Sequence, residues 1–208
     1  MGKLSNDASY PLATLLDIPS PDLIPLSPQK YPGCCLFISQ SLIETLRANL
    51  PCPPHLVLSI GSGNGFLEAL LLDQSRPSRS PIIECVEVAS LRATRKHVPE
   101  EVMHYVDGTR HLHQRAADAT AWIFVYPRDP QLPIRYMKEY GSSRVETIHW
   151  LGPKADWQDF EKLVRNLGDA TFSPPTVEDG FLISEWEVYG TVSKHAESIA
   201  LSKVIDSL

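Results

Sequence analysis

Residues 57–68 read V-L-S-I-G-S-G-N-G-F-L-E, and this stretch constrains the chain more than any other. An apolar run ends in three alternating glycines, Gly61, Gly63 and Gly65, and a helix-like apolar pattern follows. Such a pattern describes a buried strand that turns into a helix through a loop of small residues. A loop of this kind exposes backbone N–H groups and leaves room for a ligand. Dinucleotide-binding loops place a third glycine where Phe66 stands here, and Gly65 comes one residue early. The tighter G-x-G-x-G spacing suits a cofactor without a pyrophosphate.

The rest of the chain repeats the strand-helix alternation. Apolar runs predict strands over 56–60, 81–88, 102–106, 121–126, 145–151, 170–173 and 181–189. Helical periodicity predicts helices over 39–50, 66–72 and 157–167, with shorter candidates over 91–97, 114–119, 132–140 and 196–208. Near-continuous apolar strands alternating with helices imply an α/β fold: a doubly wound, mostly parallel seven-stranded sheet closed by an antiparallel terminal hairpin. The expected division is a proline-rich N-terminal arm and helix over 1–54, a cofactor-binding domain over 55–190 and a helical tail over 191–208. Pro11, Pro19, Pro21, Pro25 and Pro28 prevent long regular elements in the arm. Its leucines and isoleucines nevertheless offer more apolar surface than a free linker needs.

Charge and composition exclude some functions. The net charge of −6 gives no general attraction to a phosphate backbone, which disfavours nucleic acid as a partner. No apolar run approaches a membrane span, and Met1 is not followed by a signal-peptide pattern. Cys34, Cys35, Cys52 and Cys85 include no C-x-x-C pair. A soluble, cytoplasmic chain with reduced thiols is expected. His104, His111 and His113 lack the cysteine or carboxylate neighbours that would complete a metal set, so no metal is expected.

Ligands of parallel sheets bind beyond the strand C-termini. Four groups fall there: Gly61, Ser62, Gly63 and Gly65 after the first core strand; Glu87 and Val88 at the end of the second; Asp107 and Gly108 after the third; and Tyr126, Pro127, Arg128 and Asp129 after the fourth. One cleft can collect all of them. An acid at the position of Glu87 can accept both hydroxyl hydrogens of a ribose. Asp107 can accept a donor from an adenine amino group. Tyr126 and Asp129 are the candidate catalytic groups, because either can face an acceptor and Asp129 can orient or deprotonate it. Arg128 can pair with an anionic substrate group.

The glycine loop, Glu87 and Val106-Asp107-Gly108-Thr109 resemble the cofactor-binding motifs of the class I S-adenosylmethionine-dependent methyltransferases, over roughly residues 55–190. The resemblance implies S-adenosyl-L-methionine as cofactor. The glycine loop would wrap its amino-acid portion, Glu87 would bind the ribose hydroxyls and Asp107 would lie by the adenine. One departure stands out. The family commonly carries an acid two residues before the first glycine, where it helps to hold the cofactor's ammonium group, and here that place is Ser59. The Asn/Asp-Pro-Pro-Tyr/Phe segment of many amino-methylating members is also absent.

The expected function is methyl transfer to an acceptor, a small molecule in preference to a protein. Two alternatives stay open: a non-catalytic methyltransferase-like scaffold or partner subunit, and a nicotinamide-dependent oxidoreductase. For the arm the alternative is a structural strap, or a homodimer contact, far from the cleft. The reading favoured here has residues 10–50 covering the acceptor side of the cleft, with Tyr31 and Phe37 walling off the pocket.

Overall fold

The computed structural model describes residues 23–72, 80–92, 96–167 and 172–195. After a short ribbon of β1 (Gln29–Lys30) and β2 (Phe37–Ile38), the chain forms α1 (Gln40–Asn49), β3 (Leu56–Ile60), α2 (Phe66–Leu71), β4 (Ile82–Val88) and β5 (Met103–Val106). It continues through β6 (Ala121–Val125), α3 (Gln131–Tyr140), β7 (Thr147–Pro153), α4 (Lys154–Asn166), β8 (Thr176–Leu182) and β9 (Glu187–Ser193). Seven strands make one sheet in the order β5-β4-β3-β6-β7-β9-β8. The first five are parallel, and β9 runs antiparallel to both β7 and β8. This is the architecture expected from the sequence, that of a class I methyltransferase-like sheet.

Alternation along each strand divides the core between two faces. On β6, Ala121 and Ile123 face the cluster built with α1 and α2, while Trp122 and Phe124 face the cluster built with α3 and α4. On β3, Val57 joins the first cluster and Leu58 and Ile60 the second, so every residue of that strand is buried. The second cluster carries the heavier aromatic packing, with Trp150 and Phe160 rings stacked at 6.0 Å and Trp157 edge-on to Trp150 at 5.5 Å. Ile24, Leu36 and Ile38 of the N-terminal strap are buried in the first cluster together with Leu42, Ile43 and Leu46 of α1. The strap is therefore part of the core that holds the sheet.

Local chemistry sets the element ends. Ser39 caps α1, its hydroxyl accepting the Leu42 amide at 3.2 Å. β6 stops at Val125 because Tyr126 turns to a positive φ of 48°. Pro133 sits in the first turn of α3, where its missing N–H would have no helical partner. α4 starts at Lys154, directly after Pro153, earlier than its apolar periodicity indicates.

Several expected elements differ. The segment expected as one strand over 181–189 is divided by a turn in which the Ser184 hydroxyl accepts the Trp186 amide, so it supplies the end of β8 and the start of β9. Of the strand expected over 170–173, Phe172 makes a single bridge to Lys194, and 170–171 lie outside the described residues. The helix expected over 114–119 is a 3-10 turn, Gln114–Ala117. In place of the helix expected over 91–97 a 3-10 turn covers Ala89–Leu91, with 93–95 outside the described residues. Residues 1–22, and the helix expected over 196–208, also lie outside them. No helix among the described residues is long and apolar enough to cross a membrane.

Candidate functional site

The strand order reverses at β3, whose neighbours β4 and β6 carry the chain away in opposite directions. Above their C-terminal ends lies a cavity of about 410 Å³. This is the position at which open α/β sheets hold ligands. Four of the segments singled out in the sequence meet there, together with the strap. Gly61, Ser62, Gly63, Glu87, Val88, Gly108, Tyr126, Arg128 and Asp129 line the cavity, whereas Ser59, Gly65, Asp107 and Tyr31 lie outside its lining.

The glycine loop is held by its neighbours and open on its cavity side. The Gly61 and Ser62 amides both donate to the Val86 carbonyl, at 2.8 and 3.3 Å. Gly61 and Gly63 take φ values of +78° and +62°, a region that side chains disfavour, and nothing lies within 4 Å of where a Cβ would project from either. Gly65 serves a different purpose. A Cβ there would meet Val98 at 2.7 Å, so this glycine permits close packing beneath α2.

Glu87 closes the loop from the β4 side. Its Oε2 accepts the Gly63 amide and its Oε1 the Val88 amide, each at 2.7 Å. Lys96 Nζ donates to the Gly63 carbonyl at 2.7 Å, holding that residue from its other end. The Glu87 carboxylate is thus fixed in place, and its remaining lone pairs can accept further donors. Val86, Val88, Leu91 and Val106 add an apolar slot beside it. Asp107 is exposed on the rim.

Ser59 is buried, and its hydroxyl donates to Glu68 Oε1 at 2.5 Å. Glu68 is only 1% exposed and lines the cavity, and its Oε2 has no hydrogen-bond partner. Burial pushes its carboxyl up to about 7; the Ser59 bond opposes this and the nearby Glu87 charge adds to it. Glu68 was not singled out in the sequence. The available signal was an acid within the otherwise apolar helix F-L-E-A-L-L, three residues beyond the last loop glycine and in a motif whose usual acid is a serine.

Across the cavity stand the β6 loop and the strap. The Tyr126 hydroxyl donates to Glu187, a buried carboxylate on β9 that also accepts the Phe37 amide at 3.1 Å and the Ser184 hydroxyl at 3.3 Å. Burial and the Glu187 partner hold the Tyr126 phenol well above its ordinary range. Asp129 accepts the Gln131 amide at 2.9 Å and Arg135 at 3.0 Å. Its partial burial acts to raise the carboxyl, but these two donors outweigh that and hold it below the ordinary carboxylate range. Arg128 is exposed at the mouth. From the strap, Gly33, Cys34 and Cys35 line the cavity directly. Tyr31 stands behind them, stacked on Phe66 at 5.0 Å, and Phe37 packs against the core with Lys30 over its ring. Burial pushes the Cys34 thiol up to about 12, so it stays protonated.

Among the described residues no group of three or more His, Cys, Asp or Glu side chains is placed to hold a metal ion. The acceptors that line the cavity can meet a ligand's donor hydroxyls and a cationic group. Glu87 offers fixed acceptors, Glu68 an orphaned buried oxygen, and Gly61 and Gly63 the open space beside them.

No family model matches the chain, and no curated protein matches it in sequence. Solved structures match it in shape. Precorrin-6y C5,15-methyltransferase from Geobacter metallireducens superposes with a TM-score of 0.55 at 11% identity, covering 80% of this chain and 92% of that one. The METTL16 methyltransferase domain gives 0.51 at 13% identity, covering 74% of this chain and 64% of the other. The structure of precorrin 8w decarboxylase from Methanobacterium thermoautotrophicum gives 0.50 at 11% identity, covering 79% and 95%. At such identities the likeness is one of fold.

Proposed function

We propose that the chain is an S-adenosylmethionine-dependent methyltransferase whose acceptor is a small molecule. The observation that carries this reading is the Glu87 carboxylate, anchored by the Gly63 and Val88 amides beside an open glycine loop. Fixed acceptors there suit the paired hydroxyls of a ribose, and the slot of Val86, Val88, Leu91 and Val106 suits a flat apolar base. The two structural neighbours with methyltransferase in their names support the same fold-level reading.

The bound cofactor supplies an electrophilic methyl group on a sulfonium. The work left to the chain is to hold acceptor and methyl in line and to exclude water. The strap at Gly33, Cys34 and Cys35 and the β6 loop at Tyr126 and Pro127 wall the side on which an acceptor would enter. Neither candidate catalytic group is a ready base at neutral pH. Tyr126 keeps its proton on Glu187, and Asp129 is a weak base tied to Arg135. The reading therefore assigns Tyr126 and Asp129 to shaping the acceptor side, with rate supplied by positioning. A cavity of about 410 Å³ lies in the size range of small-molecule pockets, and the net charge of −6 opposes a polyanionic acceptor.

That neither of these two candidates is a ready base also supports a second reading, a methyltransferase-like subunit that binds cofactor without turning it over. Incubating the full chain with methyl-labelled S-adenosylmethionine and, separately, small-molecule, protein and RNA fractions of a cell extract tests both. Label in the small-molecule fraction is expected. Label only in RNA, with affinity that falls steeply with salt, would contradict the acceptor class. Cofactor retention without transfer to any fraction would favour the second reading.

A further inference from the structure

Glu68 is a buried acid that has one of its two carboxylate oxygens bonded within the fold and the other unpartnered. It projects from α2 within a helix whose other five residues are buried and apolar. Its Oε1 is engaged by Ser59, its Oε2 is unpartnered, and it reaches the wall of the cavity. An orphaned carboxylate oxygen in such a place calls for a donor, and a positive one most of all.

Among the described residues no positive side chain bonds to Glu68, and Arg47 of α1 is engaged by the Leu70 and Leu71 carbonyls. From β4, Glu87 faces it with a like charge, and Cys85 with a thiol that burial keeps protonated. From the strap, Cys34 is likewise a protonated thiol, and from β3 only the Ser59 hydroxyl reaches it. Lys96 is occupied on the Gly63 carbonyl. Two carboxylates thus share one end of a cavity with a single oxygen left over. A bound cation would satisfy that oxygen and relieve the repulsion between the two acids.

We infer that Glu68 receives the α-ammonium group of the ligand's amino-acid portion, presenting from α2, through Ser59, the negative charge that is absent at position 59. This rests on the cofactor reading proposed above. Ser59 then acts as a positioning residue, fixing one carboxylate oxygen so that the other faces the ligand. The raised affinity of Glu68 for its proton means that ligand binding near or below neutrality displaces a proton from it.

The test is calorimetry on the full chain with two ligands, S-adenosylhomocysteine and 5′-methylthioadenosine, which shares the nucleoside but lacks the amino-acid group. The variant Glu68→Gln keeps an acceptor for Ser59 and removes the charge. It is expected to weaken S-adenosylhomocysteine by about tenfold to hundredfold, the span of a lost charge-assisted bond, while leaving methylthioadenosine within about twofold. Loss confined to S-adenosylhomocysteine supports the inference; unchanged affinity for it overturns the inference. A second measurement needs no variant. Titrations of the native chain in buffers of different ionisation enthalpy, at about pH 6, are expected to register proton release with S-adenosylhomocysteine and none with methylthioadenosine. Proton uptake would mean that a protonated Glu68 donates to the ligand's carboxylate, and no exchange would mean that it does not meet the ammonium; either overturns the inference. Binding of methylthioadenosine alone by the native chain would overturn it while preserving the nucleoside site. Failure of both ligands to bind the native chain would overturn the cofactor reading with it.

Discussion

Replacing Glu68 by Gln ought to raise the stability of the ligand-free protein relative to the native chain as the pH rises from about 4.5 to about 8. In the folded chain the carboxyl is raised from 4.5 to about 7, chiefly by burial. Between those values the folded state binds more protons than the unfolded state, so this group's contribution to stability falls as the pH rises through that window and is constant above it. At about 1.4 kcal/mol per pH unit, a displacement of this size corresponds to at most about 3 kcal/mol, with water in the open cavity reducing it. The glutamine does not titrate, and any penalty from its unpartnered amide is the same at every pH. The stability of Glu68→Gln relative to the native chain should therefore rise by up to about 3 kcal/mol between about pH 4.5 and pH 8. Urea unfolding of both proteins across that range, followed by the fluorescence of the buried Trp122 and Trp150, measures this difference directly. Parallel stability curves for the two proteins would contradict this, because they would show that Glu68 titrates alike in the folded and unfolded chains.

Three further outcomes separate the roles of the site residues. Glu87→Ala should weaken S-adenosylhomocysteine by about 1.5–3 kcal/mol in calorimetry, since it removes an anchored charged acceptor; unchanged affinity would count against the ribose assignment. Gly65→Ala, which drives a methyl to 2.7 Å from Val98, should destabilise the fold in urea by about 1–3 kcal/mol beyond the loss seen for Gly61→Ala, where nothing lies within 4 Å. Gly61→Ala should instead act mainly on ligand affinity, and equal losses of stability in the two variants would contradict this division. Tyr126→Phe removes the hydroxyl from buried Glu187 and should destabilise the protein by about 1–3 kcal/mol while speeding hydrogen exchange at the Phe37 amide. Loss of activity with stability and exchange unchanged would point to Tyr126 as the reacting base.

Much of this architecture was legible because the strands are buried on both faces. The run over 56–60 coincides with β3, and the glycine loop and Glu87 meet where the strand ends place them. What escaped depended on contacts distant in sequence. The split between β8 and β9 turns on Ser184 and on Glu187, whose carboxylate faces inward to meet Tyr126 and Phe37, whereas in the sequence Ser184, Glu185 and Glu187 read as polar positions within one strand. Among the described residues of the arm, those that reach the cavity are Gly33–Cys35, small residues with no periodic signal, while the aromatic Tyr31 packs behind them on Phe66. Glu68 escaped for a related reason. Helical periodicity treats an acid in an apolar helix as an interruption, and the spatial meeting with Ser59 turns that interruption into part of the site.

The central claim is that the cavity above β3, β4 and β6 holds the S-adenosyl cofactor. Calorimetric titration of the full chain, in parallel, with S-adenosylhomocysteine and with an oxidised nicotinamide dinucleotide tests it most directly. Saturable binding of S-adenosylhomocysteine at one ligand per chain is expected, with no measurable heat from the dinucleotide. Binding of the dinucleotide in its place, or the absence of binding by S-adenosylhomocysteine, would contradict it.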